Sequence, residues 1–176
     1  MCELSKVKIW YEIEAYAAEA QASIGIIPER ASKAIWEIKS HEFNVTEIKT
    51  IEQTLKHDVI AFLTYISKII GKEARFVHQG MTSSDVLDTC YNIQLMRACN
   101  LLLSDLDNLL DTLKSKALEY KDTLCIGRSH GVHAEPTTFG LKMAQAYSEM
   151  KRNRARLSDA KKEISFGAIS GAVGTF

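Results

Sequence analysis

Apolar side chains recur at intervals of three and four along most of the chain, the spacing that gathers them on one face of an α-helix. The first such stretch runs from Leu4 to about Ile24 through Val7, Tyr11, Ala15 and Ala18, and Gly25 suits its end. Pro28 fits the first turn of a short helix reaching about Ser40. Asn44 followed by Glu47 reads as an N-cap with its reciprocal glutamate, opening a helix through Ile48, Ile51 and Leu55. His57–Ile70 continues helically with Val59, Phe62, Ile66 and Ile69 on one face, and Gly71 stops it.

Two longer patterns follow. With Ser83 or Ser84 as its N-cap, the first reaches Tyr120 without a glycine or proline. Leu87, Tyr91, Leu95, Ala98, Leu102, Leu106, Leu109, Leu113, Ala117 and Tyr120 form one sustained seam, on a helix about 55 Å long. The second runs from about Thr138 to Ile164 through Phe139, Met143, Ala146, Met150, Leu157 and Ala160. The prediction is an all-α protein. Two long amphipathic helices cannot bury their seams by pairing only with each other, so further chain, an oligomer, or both are expected. Three polar islands interrupt the helices: residues 72–82, residues 122–136, and the FGAISGAVGTF stretch from Phe166.

Composition narrows the classes of function. Hydrophobic residues make up 46% and charged residues 25% of the 176, the profile of an ordinary globular protein. Lys+Arg and Asp+Glu balance at 22 each, so no net field attracts nucleic acid or an anionic membrane, and any anion recognition must be local. No apolar run approaches a membrane span, and MCELSKVKIWYEIE lacks the basic-then-apolar pattern of a signal peptide. Cys2, Cys90, Cys99 and Cys125 contain no CxxC pair. They read as reduced packing residues of a cytoplasmic protein.

The chemistry sits in the islands. Of five histidines, His41 lies in a turn and reads as a solvated loop residue, whereas His57, His78, His130 and His133 fall in or beside islands. Histidine suits proton transfer near neutrality. A zinc site is disfavoured because Gly131 and Pro136 oppose a helix that would aim His130 and His133 at one metal, and HExxH is absent. Cys125 lies in an apolar TLCIG stretch that resembles packing. GMTSSD, residues 80–85, places three hydroxyls and a carboxylate at the start of the long helix. It serves either as an N-cap, which needs one hydroxyl, or as an anion seat. GRSHGVHAEPTT presents the same chemistry before the second long helix, and the pair points toward catalysis on a dianionic or trianionic substrate.

HQGMTSSDVLDT (78–89) and GRSHGVHAEPTTFGLKMA (127–144) resemble two of the signature regions of the fumarase/aspartase superfamily, and HGVHAEPTT is similar to its short bacterial adenylosuccinate lyase branch. LKHDVIAF (55–62) and ISGAVGTF (169–176) resemble further stretches of that family, and residues 10–29 match its early helices more loosely. The resemblance implies a small N-terminal helical domain at 1–82 and, at 83–176, the first part of a central domain of long helices. It implies a homotetramer with active sites shared between subunits. The implied reaction is elimination of fumarate from adenylosuccinate, giving AMP, and from SAICAR, with no cofactor and no metal.

By the same resemblance His130 matches the general acid, His57 a histidine beside it that orients or shares its proton, and His78 a histidine assisting proton transfer or binding. Lys56, His57 and Asp58 occupy a substrate-contacting tripeptide, and Thr82 and Ser83 match the hydroxyl pair that grips the succinyl carboxylate. His133 belongs to the motif with a structural role, and Ser129 keeps the hydroxyl of a family threonine. The third signature, SSxMPxKxNP, which supplies a serine base and a lysine, has no counterpart here, and neither has the family's N-terminal arginine–tyrosine pair. The expectation is a fragment of a longer enzyme, inactive by itself. Argininosuccinate lyase, a carboxymuconate cycloisomerase, or a non-catalytic helical oligomerisation module are the other readings.

Overall fold

The computed structural model describes residues 2–174. The chain divides into two compact units. Residues 2–94 with 166–174 form the first, and residues 95–165 the second.

In the first unit, α1 (Glu3–Ser23), α2 (Glu29–Glu37), α3 (Val45–Leu55) and α4 (Asp58–Ile70) surround one apolar core. Short 3-10 turns at Ile38–Ser40 and Gly71–Phe76 extend α2 and α4, so the island expected from residue 72 begins as a tightened helical turn. The periodic residues Val7, Tyr11, Ala15, Ala18, Val59, Phe62 and Ile66 are all buried, as the pattern predicts. Trp10 meets Phe62 edge to face at 5.5 Å, and the Tyr11 hydroxyl donates to the Ile35 carbonyl at 2.8 Å, tying α1 to α2. Asn44 caps α3 by accepting from the Glu47 N–H at 3.1 Å. The Glu47 carboxylate takes Lys68 of α4 at 3.0 Å, so the reciprocal half of the expected capping box gives way to an ion pair between helices. His41, expected to be solvated, is half-buried and meets the Tyr65 hydroxyl at 3.2 Å.

The long helix α5 runs Ser83–Glu119. Its first residues belong to the first unit, where Val86 and Cys90 join the core. Residues 166–171 lie along this part of α5: the Asn92 amide donates to the Phe166 carbonyl at 2.9 Å, and Thr89 Oγ1 accepts from the Ala168 N–H at 2.9 Å.

The second unit holds the rest of α5, a β-hairpin of β1 (Leu124–Ser129) and β2 (Val132–Thr138), and α6 (Phe139–Glu163). The island between the long helices is therefore an antiparallel ribbon within a mostly helical chain. Thr138 caps α6 by accepting from the Leu141 N–H at 3.2 Å. Gly140 lets the start of α6 approach the end of α5, donating its N–H to the Tyr120 carbonyl at 2.9 Å. Asp107 of α5 takes the Arg154 guanidinium of α6 through two oxygens, which holds the Asp107 carboxyl below its ordinary value. Among the described residues no helix is long and apolar enough to cross a membrane.

Candidate active site

Three non-glycine residues among those described have left-handed backbone: Lys56 (φ 55°), His78 (φ 62°) and His130 (φ 51°). All three are candidates drawn from the sequence. A side chain in this region is uncommon, and such residues concentrate where the surrounding structure imposes an orientation.

Lys56 ends α3. Its left-handed turn lets its N–H reach the Glu52 carbonyl at 2.7 Å. The chain then reverses into α4, whose N-cap is His57, and Nδ1 of that ring accepts from the Ile60 N–H at 3.4 Å. An accepting Nδ1 leaves the proton of the neutral ring on Nε2, which faces Ser83 Oγ at 3.4 Å. Two candidates 26 residues apart in sequence thus meet. Asp58, the first residue of α4, accepts from the Val59 N–H at 2.7 Å.

The start of α5 is built around a carboxylate. Asp85 is 2% exposed; its Oδ2 accepts from the Thr82 N–H at 2.9 Å, and its Oδ1 from the N–H groups of Ser170 (2.9 Å) and Gly171 (3.2 Å). The helix begins at Ser83, one turn of chain held by the Thr82–Asp85 exchange, so the residue in front of it is Thr82 rather than either serine. Thr82 and Ser83 thereby sit where backbone N–H groups lack helical partners and the helix dipole favours an anion.

His78 is fixed from α1. The buried Glu14 accepts the His78 backbone N–H on Oε2 at 2.9 Å and contacts ring Nδ1 through Oε1 at 2.6 Å. The Gln21 amide holds the next residue, donating to the Gln79 carbonyl at 2.6 Å. Glu14 is not among the candidates named from the sequence. Its signal was present: it lies seven residues after Val7 and four before Ala18 on the apolar face of α1, and a buried carboxylate needs a partner.

In the second unit, His130 and Gly131 are the two-residue tip of the hairpin, between paired Ser129 and Val132. Both tip residues have positive φ, 51° and 78°, as the turn that matches strand twist requires. His130 stands exposed at this tip. His133 lies in β2 opposite Arg128, also exposed. A bulge between Ile126 and Arg128 seats Gly127, where a Cβ would come within 2.6 Å of the Glu135 carbonyl oxygen. The first unit thus carries Lys56, His57, Asp58, Thr82, Ser83 and His78 at helix ends and in a turn, with His57 and Ser83 brought together, and the second presents His130 on a ribbon tip.

Such a chain is a long-helix protein whose polar side chains collect where helices begin and end. The pattern that defines a protein family described as Lyase matches residues 3–176. The chain belongs to this lyase family. It is 46% identical to an adenylosuccinate lyase of Bacillus subtilis (strain 168) over 98% of its length, covering 39% of that protein. Among solved structures it superposes on a fumarate lyase from Mesorhizobium sp. BNC1 with TM-score 0.93 at 28% identity, covering 99% of this chain and 41% of that one. It superposes on a β-carboxy-cis,cis-muconate cycloisomerase from Acinetobacter calcoaceticus sp. ADP1 with TM-score 0.92 at 28% identity, covering 99% and 42%. The chain spans about two fifths of the length of each of these proteins.

Proposed function

We propose that this chain forms part of an adenylosuccinate lyase, which eliminates fumarate from adenylosuccinate to give AMP and cleaves SAICAR by the same chemistry. The observation that carries the reading is the 46% identity, sustained over 98% of the chain, to a protein of that name, against 28% to members with the same fold and other names.

In this reading, removal of a proton next to a carboxylate leaves a carbanion whose charge spreads into that carboxylate. Donors already fixed there favour the transition state over the ground state. Thr82 and Ser83, at the start of α5, take that carboxylate, and Lys56 and Asp58 line the same substrate. His130 protonates the departing nitrogen, and an exposed hairpin tip suits a group that must reach a substrate. His57 takes the place of the family histidine that orients the acid or shares its proton, and its Nε2 edge toward Ser83 suits it to the carboxylate end as well. His78 assists binding or proton transfer. Removal of the carbon-bound proton falls to a serine outside these residues. The same reading divides the chain into an N-terminal domain at 1–82 and the first part of a long-helix domain at 83–176. It assembles a cytoplasmic homotetramer that shares its active sites, and it assigns neither cofactor nor metal.

The test uses the full-length protein purified from a host lacking its own enzyme. Adenylosuccinate and SAICAR are expected to be cleaved and argininosuccinate left intact. His130→Gln should lower kcat by about 10²–10⁴-fold with the oligomer unchanged. Unchanged turnover in that variant would remove His130 from the role of acid, and cleavage of argininosuccinate in place of adenylosuccinate would overturn the reading.

A further inference from the structure

The pairing of Glu14 with His78 goes beyond the assignment of His78 alone. Glu14 sits in the middle of α1 among Trp10, Tyr11, Ala15 and Ala18, with its side chain fully buried. An isolated carboxylate there would be strongly disfavoured. Both of its oxygens go to one residue 64 positions away, one to the backbone N–H of His78 and one to ring Nδ1. The two contacts fix different things. The backbone contact holds the left-handed turn at φ 62°, and the ring contact sets the rotation of the imidazole. An ionised carboxylate only accepts hydrogen bonds, so the ring nitrogen facing it carries hydrogen. In the neutral ring this leaves Nε2 as a lone-pair acceptor. His57 shows the opposite arrangement: its Nδ1 accepts from a helix N–H, which in the neutral ring leaves the proton on Nε2. His57 and His78 are thus held in opposite tautomers.

We propose that Glu14 is a positioning residue of the active site, holding His78 as its Nδ1–H tautomer so that Nε2 is presented as a hydrogen-bond acceptor to the substrate. This rests on the lyase reading above. A carboxylate that orients a histidine and fixes its tautomer is a recurring device in acid–base catalysis. Here it comes from the first helix, far in sequence from every motif that marks the site.

The test is made on the full-length protein labelled with ¹⁵N-histidine, the His78 signals being assigned by their loss in His78→Gln. Solid-state ¹⁵N spectra of the wild type should show His78 protonated at Nδ1 and bare at Nε2. In Glu14→Gln the amide N–H₂ can face Nδ1 while the amide oxygen keeps the backbone contact. The variant should therefore retain its fold, show the Nε2–H tautomer, and lose about ten- to a hundredfold in kcat. Glu14→Asp, which keeps the charge, should recover part of that loss. A wild-type spectrum with His78 protonated at Nε2 overturns the proposal without any variant, and so does full activity in a Glu14→Gln protein whose tautomer has inverted. Absence of adenylosuccinate cleavage by the wild type would instead count against the lyase reading itself.

Discussion

Single residues carry more of this site than their types reveal. Asp85 was readable from GMTSSD as one polar residue of a helix start. Its carboxylate turns out to bind three backbone N–H groups, two of them from residues 170 and 171. No sequence period links positions 85 residues apart, so that contact was out of reach of local pattern. Asp85 thus holds residues 170 and 171 of the third polar island against the start of α5, while Thr89 and Asn92 hold residues 168 and 166. Asp85→Asn keeps the shape but offers one accepting oxygen where two stood, and turns an N–H₂ toward N–H donors. The loss of a buried charged acceptor is on the order of 1–3 kcal/mol. Hydrogen exchange at Ser170 and Gly171 should therefore quicken by about 5- to 150-fold, measured on the peptide that contains them. Unchanged exchange there would show that another contact holds the segment.

The helices were legible because burial on one side imposes the 3.6-residue period, and five of the six both begin and end within a residue or two of the predicted limits. The hairpin was not. Its segment contains two glycines and a proline with few β-branched residues, and its tip carries His130 where asparagine or aspartate usually signals such a turn. The candidate site was legible as residue types at motif spacing, whereas the left-handed backbone at Lys56, His78 and His130 arises from where helices must stop and strands must reverse. One element junction gives a sharp test. At Gly140, where α6 starts, an added Cβ would lie 2.5 Å from the Ala117 carbonyl oxygen and 2.6 Å from Lys121 Cα. Both are backbone atoms, one in the last turn of α5 and one just beyond it, and cannot rotate away. Gly140→Ala should destabilise the second unit by about 1–3 kcal/mol through overpacking, read as a lowered thermal midpoint. An unchanged midpoint would mean that the junction tolerates a methyl group by shifting α6.

For the molecule as a whole, burial is distributed unequally. The first unit encloses a continuous core, from Val7 in α1 to Cys90 in α5. In the second, Leu110 is the one buried hydrophobic side chain among residues 95–165. Leu101, Leu102, Leu109, Leu118 and Leu141 stand 42–71% exposed. A unit of long helices without its own core gains stability by burying those faces against other chain. Each such leucine moved out of water contributes about 1.5–3 kcal/mol. Leu102 and Leu109 are seven residues apart and occupy one face of α5, so charges placed on both should oppose assembly along that face while leaving the core of the first unit untouched. The double variant Leu102→Lys/Leu109→Lys of the full-length protein is expected to sediment as species smaller than a tetramer and to lose turnover, because the proposed active site is assembled from more than one subunit. Near-ultraviolet signals from Trp10 and Trp36, both in the first unit, should stay native-like and separate dissociation from unfolding. A tetramer that survives both lysines would place the subunit contact on a different face of α5.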